Sequence, residues 1–157
     1  MSKQIKIYTD GSSIGNPGPG GYGIVMLSED GQYKKEFSQG FKITTNNRME
    51  LLAVIVGLEN IKIKNCNVEI YTDSKYVSDA VEKGWLFNWV KKDFKNKKNK
   101  DLWYRFLDIY NIHDVKFYWI KGHNNDFFNE RCDILANLAA RNLDLIEDKG
   151  YMIHKSK

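Results

Sequence analysis

Two short segments of this chain are nearly identical: IYTDGS at residues 7–12 and IYTDSK at residues 70–75. In each, an apolar run with β-branched residues predicts a buried strand, and each run ends on an aspartate, Asp10 or Asp73. Sites are commonly built at strand ends in sheets that helices cover. For either copy alone, a simpler interpretation is that the aspartate starts a turn or caps a helix. The repetition favours the hypothesis that both aspartates belong to one site.

The hydrophobic pattern predicts an α/β domain. Three strands are indicated first, at residues 4–10, at YGIVML from residue 22 and at 32–43, with a glycine- and proline-rich loop at 15–23. From Asn46 the apolar spacing becomes helical. Further along, the pattern predicts strands at 66–73 and 115–122 and helices at 74–84, 85–92, 101–111 and 129–143.

The order of these elements predicts a mixed sheet of five strands flanked by helices. The first three strands should form a meander, whereas the fourth and fifth follow helical crossovers and should run parallel to the first. If strands one and four are neighbours, Asp10 and Asp73 lie side by side at one edge of the sheet.

Length and composition narrow the class of protein. The 157 residues fit a single domain over 1–157, with about 145–157 expected to be a poorly ordered tail. The apolar stretches are too short to cross a membrane, and the first residues carry no apolar signal region. Cys66 and Cys132 lack the spacing of a metal-binding pair. We therefore expect a cytoplasmic protein with free thiols and no membrane partner, and a monomer by default.

Adjacent carboxylates repel unless a cation joins them, and hard oxygen ligands favour Mg²⁺ or Mn²⁺. Glu50, near the start of the first helix, could contribute to such a site, although Asn47 and Glu50 also resemble a capping box. Glu130 and Asp133 open the last helix, where pairing at the surface with Arg131 or a neighbour is the alternative.

His123 follows the fifth strand in the segment KGHNND. A lone histidine is often structural, but a glycine-flanked position at the same sheet edge suits proton transfer equally well. The glycine-rich loop at 15–23 matches neither nucleotide-binding pattern, GxxxxGK[ST] or GxGxxG, and a strand follows it. We therefore expect no nucleotide cradle there.

Residues 91–100, KKDFKNKKNK, form a basic segment with six lysines and one aspartate. The whole chain has a net charge of +4, so the other residues together carry −1. A local charge of +5 either binds a polyanion or marks a solvated loop, and the composition alone does not separate these alternatives.

Five segments together resemble ribonuclease H of the type 1, bacterial kind: IYTDGSSIGNPGPGGYG, TTNNRMELLA, YTDSKYV, WIKGH and NERCDILA. They occur in the family's order over about residues 3–150. The resemblance implies the ribonuclease H fold and an endoribonuclease that hydrolyses the RNA strand of RNA–DNA hybrids. It implies two Mg²⁺ ions, with Mn²⁺ as an alternative, since a pair of ions about 3.5–4 Å apart can activate water and stabilise the leaving oxygen.

The resemblance also assigns roles to residues. The metal-binding acids would be Asp10, Glu50, Asp73 and Asp133, with Asp10 bridging both ions and Asp133 beside the attacking water. His123 would assist proton transfer, and Glu130 would help in product release. The hybrid would contact Asn16, Thr45, Asn46, Asn47, Trp85, Trp89, Lys91, Lys92, Lys95, Lys97 and Lys98.

The chain departs from the family pattern in three places. NNDFF stands after His123 where the family often has a second histidine and a proline, the basic segment is a few residues short, and Lys75 replaces a frequent glutamine. Two other functions are compatible with the fold: hybrid binding without catalysis, and a nuclease or strand-transfer enzyme acting on DNA. The intact acids argue against the first, and TTNNRME with the basic segment against the second.

Overall fold

The computed structural model describes residues 3–122 and 126–154. These residues form five strands and six helices, which are β1 (Gln4–Ser13), β2 (Gly18–Ser28), β3 (Lys34–Thr44), α1 (Asn46–Glu59), β4 (Asn67–Thr72), α2 (Lys75–Glu82), α3 (Trp85–Lys91), α4 (Lys100–Tyr110), β5 (Asp114–Trp119), α5 (Phe127–Ala140) and α6 (Lys149–His154). In the ranges described, every helix is too short or too polar to cross a membrane.

The strands form one mixed sheet in the order β3-β2-β1-β4-β5. β1, β2 and β3 pair as an antiparallel meander, while β1 with β4 and β4 with β5 pair in parallel. The two similar segments are therefore neighbours, with Ile7 opposite Ile70 and Tyr8 opposite Tyr71. The predicted five-stranded mixed sheet is confirmed.

The two long helices cover opposite faces of the sheet. Ile7 points toward α1, where it lies against Gly57, whereas the next residue, Tyr8, packs its ring 5.1 Å from that of Phe128 in α5. Because successive residues of a strand face opposite sides, α1 and α5 form separate layers. Apolar residues of α1 are almost fully buried against the sheet, and this packing anchors the start of α1.

The prediction of a loop at 15–23 is wrong from Gly18 onward, because β2 begins there. A Cβ at Gly21 would lie 2.7 Å from the carbonyl oxygen of Ala136, and a Cβ at Gly23 would overlap the carbonyl oxygen of Cys132. These glycines let α5 approach the sheet at backbone distance. The glycine-rich composition of this segment locally indicates a loop, but the contact between β2 and α5 explains it.

The expectation of a poorly ordered tail is also wrong for the described residues 145–154. Ile146 pairs with the edge of β3, and Asp148 is 7 % exposed beside the guanidinium of Arg48, at 2.8 Å. Arg48, 2 % exposed, also pairs with Asp101 at 2.7 Å. A buried guanidinium requires carboxylate partners, and the segment before α6 supplies one of them.

Candidate active site

Asp10 and Asp73 lie where the central parallel pair of strands comes apart. Pairing between β1 and β4 ends at Tyr8 and Tyr71, two residues before each aspartate. β1 continues past the predicted end to Ser13 through its pairing with β2. β1 and β4 therefore diverge beyond this point, and the carboxylates of Asp10 and Asp73 line the opening between the two strands. Asp10 is 5 % exposed.

Glu50 reaches the same place from the first turns of α1. It is 4 % exposed, and its Oε1 accepts a short hydrogen bond from the N–H of Gly11, which also donates to Asp10 Oδ1 at 2.9 Å. A Cβ at Gly11 would overlap the backbone nitrogen of Glu50, so only glycine permits this approach. The capping-box interpretation of Asn47 and Glu50 is wrong, since Thr45 caps α1 and accepts from the N–H of Arg48.

Carboxylate oxygens of Asp10, Glu50 and Asp73 lie within 4.8 Å of one another. The pKa of Asp10 is raised to about 7, chiefly by burial; an interaction with Glu50 lowers it, and Asp73 and Asp133 contribute to the rise. Burial first, and then Asp10, raises the pKa of Glu50 well above its ordinary range.

A divalent cation fits this arrangement. Glu50 Oε2 is buried and lacks a hydrogen-bond partner among the described residues. Three close carboxylates offer the hard oxygen donors that Mg²⁺ and Mn²⁺ prefer, and a positive charge would favour the ionised forms of Asp10 and Glu50, which burial and mutual repulsion disfavour.

Asp133 in α5 lines the same opening but lies outside the tight group of three. Asn137, one turn later, donates to Asp133 Oδ1 at 3.1 Å and accepts from Ser12 Oγ at 3.2 Å. Asn137 is not among the residues predicted from the sequence, although its i, i+4 spacing from Asp133 is visible in the chain. The acidic pocket is lined by Asp10, Gly11, Asn46, Asn47, Glu50, Asp73, Ser74, Lys75, Tyr76 and Asp133.

The predicted contacts around the start of α1 divide into two kinds. Asn46 and Asn47 line the acidic pocket, where their amides are available to a ligand. Asn16 accepts a hydrogen bond from the Asn46 N–H at 3.0 Å, and Thr45 caps the helix. The structure therefore gives Asn16 and Thr45 a role in holding the Asn46–Asn47 backbone.

The basic segment begins at the end of α3 and projects as an irregular turn before α4. Its lysines 91, 92, 95, 97 and 98 are exposed, while Phe94 is 3 % exposed and anchors the turn. Trp85 is 44 % exposed, whereas Trp89 is half-buried between Tyr76 and Trp103. Tyr76, which lines the acidic pocket, accepts a hydrogen bond from Trp103 Nε1 at 2.9 Å and so connects the pocket to the base of this segment.

The remaining predicted residues are Glu130 and His123. Glu130 is exposed in the first turn of α5. His123 lies outside the described residues. Gly122, which sequence analysis did not single out, passes close to the metal-site candidate Asp73: a Cβ there would lie 2.7 Å from Asp73 Oδ2.

Comparison with known proteins matches residues 2–141 to the model of the RNase H family. Ribonuclease H of Trichodesmium erythraeum is 54% identical over 153 residues, which cover 94% of this chain and 96% of that protein. Among solved structures, LC9-RNase H1, a type 1 RNase H with the type 2 active-site motif, has a TM-score of 0.80 at 29% identity and covers 90% of this chain and 74% of its own.

A crystal structure of LC11-RNase H1 in complex with an RNA/DNA hybrid has a TM-score of 0.66 at 30% identity, over 87% of this chain and 96% of its own. These similarities extend over nearly the whole sequence and agree with the mixed sheet and the acidic pocket at its edge. The chain belongs to the RNase H family.

Proposed function

We propose that this nuclease hydrolyses the RNA strand of RNA–DNA hybrids with two divalent cations held in the acidic pocket. The observation that carries the proposal is the convergence of the Asp10, Glu50 and Asp73 carboxylates within 4.8 Å, beside the Asn46 and Asn47 amides. The complex of the related LC11-RNase H1 with an RNA/DNA hybrid supports the choice of substrate.

The four acids would divide the binding of the cations. Asp10, the most central, would hold both, Glu50 and Asp73 would hold the one nearer the leaving group, and Asp133 would hold the one nearer the attacking water. When bound, Mg²⁺ or Mn²⁺ lowers the pKa of the attacking water and stabilises the charge that develops on the leaving oxygen. The Gly11 N–H keeps the Asp10 and Glu50 carboxylates in place beforehand, so little reorganisation is needed.

His123 and Glu130 complete the proposal. His123 would receive or deliver a proton near the attacking water, since it follows Gly122, which lies against Asp73. Glu130 is exposed three residues before Asp133, which suits a role in releasing the product.

Selection of a hybrid requires contacts to 2′-hydroxyls, because this group separates an RNA backbone from a DNA backbone. The pocket-facing amides of Asn46 and Asn47 are candidates for these contacts. The exposed lysines of the basic segment and Trp85 would contact the DNA strand, the lysines through its phosphates. We extend the proposal to a cytoplasmic protein, supported by two buried free cysteines, with a monomer as the default state.

A single assay separates this proposal from its alternatives. RNA–DNA, RNA–RNA and DNA–DNA duplexes, each labelled on one strand, are incubated with the protein and Mg²⁺. We expect the RNA strand of the hybrid to be cleaved and the RNA–RNA and DNA–DNA duplexes to stay intact. Binding of the hybrid without cleavage would indicate a binding protein, and cleavage of DNA would indicate a DNA nuclease.

A further inference from the structure

Lys75, the first residue of α2, lines the acidic pocket and has no role in the proposed mechanism. Among the described residues that line this pocket, it is the one basic side chain, and it stands two positions after Asp73. The other ionisable side chains of the pocket that bear on its charge are acidic: Asp10, Glu50, Asp73 and Asp133.

The ammonium of Lys75 is positioned by an aromatic ring. Its Nζ lies 4.7 Å from the centroid of the Trp119 ring. Trp119 is itself held in place, since its Nε1 donates to the backbone oxygen of Asp73 at 2.9 Å and its backbone pairs with Thr72. The Lys75 ammonium and the backbone of Asp73, a candidate metal ligand, thus contact the same indole.

This placement leaves the ammonium available to a ligand. Lys75 and Trp119 are both exposed, and a cation–π contact at an exposed site is weak. In the described part of the chain no carboxylate forms an ion pair with Lys75. A charge-assisted hydrogen bond to a phosphate oxygen is stronger than the contact with the ring and can replace it.

We propose that Lys75 binds a backbone phosphate of the hybrid at the rim of the acidic pocket. The inference rests on the proposed function, and it assigns to this residue a substrate contact separate from the basic segment. Because the ammonium lies on the rim and not among the carboxylates, its contact should be equally strong in the ground state and the transition state.

The test measures steady-state cleavage of an RNA–DNA hybrid in Mg²⁺ at several salt concentrations. Lys75→Gln should raise KM about three- to tenfold, leave kcat within about twofold and reduce the log–log salt slope of kcat/KM by about one unit, as expected for one phosphate contact. Lys75→Arg keeps the positive charge and should keep the slope of the wild type. Lys35→Gln is the matched control, since Lys35 lies 5.2 Å from the Phe37 ring but outside the acidic pocket.

An unchanged KM and slope in Lys75→Gln would overturn the inference, as would a loss confined to kcat or an equal loss of slope in Lys75→Arg. The wild-type reaction distinguishes failure of this inference from failure of the proposed function. If the wild type cleaves the hybrid and Lys75→Gln behaves like it, the assignment of Lys75 alone is wrong. If the wild type leaves the hybrid intact, the proposed function fails and the Lys75 contact fails with it.

Discussion

At the scale of single residues, the site holds carboxylates in buried positions, where burial disfavours their ionised forms. Asp10 and Glu50 are nearly fully buried, and burial raises the pKa of both groups. The folded, metal-free protein therefore holds protons that the unfolded chain releases above about pH 4, so its stability should fall as the pH rises toward about 7. A bound cation should offset this loss.

Replacement of Asp10 by asparagine tests this electrostatic cost. In EDTA at pH 8, Asp10→Asn should be more stable than the wild type by about 2 kcal/mol or more, because one buried charge and its repulsion of Glu50 are removed. The difference should shrink near pH 4–5, where the acids of the wild type are protonated. Urea unfolding of both proteins at these pH values, with and without Mg²⁺, measures it. A variant less stable than the wild type at pH 8 in EDTA would contradict the charge argument.

The histidine of the proposed mechanism should matter less than any acid. His123→Ala is expected to slow turnover by about 10²-fold or less, because solvent can partly replace a proton shuttle. Single-turnover rates for His123→Ala and Asp10→Asn under the same conditions make the comparison. If the two rates fell equally, His123 would have to bind a metal or support the structure.

At the scale of elements, the basic segment is a projecting turn anchored by Phe94 and by the aromatic cluster around Trp89. Phe94 is buried and the lysines are exposed, although the Nζ of Lys97 lies 5.2 Å from the centroid of the Trp89 ring. Charge can therefore be removed while Phe94 keeps its buried position. The sequence predicted the lysines correctly as one segment but not Phe94 as the anchor, because Phe94 packs on residues brought together by the fold.

Changing Lys95, Lys97 and Lys98 together to glutamine should raise KM for the hybrid and leave kcat nearly unchanged, since phosphate contacts there act equally in ground and transition states. The log–log salt dependence should flatten by up to about three units, one for each phosphate that is no longer neutralised. KM measured from low to moderate salt for the variant and the wild type checks this. An unchanged salt slope would mean that the segment is a solvated loop.

At the scale of the whole molecule, the features that could be predicted were those that depend on local sequence patterns. Alternation and helical spacing were enough to predict the sheet and α1, and they predicted the adjacency of Asp10 and Asp73 on the condition that strands one and four are neighbours. The start of β2 at Gly18–Gly21 was missed because its glycines locally indicate a loop, although Gly21, like Gly23, is required by the close approach of α5, more than a hundred residues away. The pairing of Arg48 with Asp148, 100 positions apart, was likewise invisible to any local pattern.

That pairing predicts the importance of the C-terminal segment. Among the described residues, Asp148→Asn leaves the buried Arg48 guanidinium with Asp101 as its one carboxylate partner, and it should destabilise the protein by about 3 kcal/mol. The exposed Asp144, changed to asparagine, is the matched control and should have little effect. Thermal or urea unfolding at neutral pH measures both, and a destabilisation under about 1 kcal/mol would mean that the segment does not stabilise the fold.

The central claim is that the buried acids carry out hydrolysis of the RNA strand, and Asp10→Asn tests it most directly. The amide keeps the shape of the carboxylate and removes its charge, so cleavage of a labelled RNA–DNA hybrid in Mg²⁺ should fall by about 10²-fold or more while hybrid binding persists. Asp144→Asn, with its exposed side chain, should cleave like the wild type. An Asp10→Asn variant that retains more than about a tenth of the wild-type rate would contradict the claim.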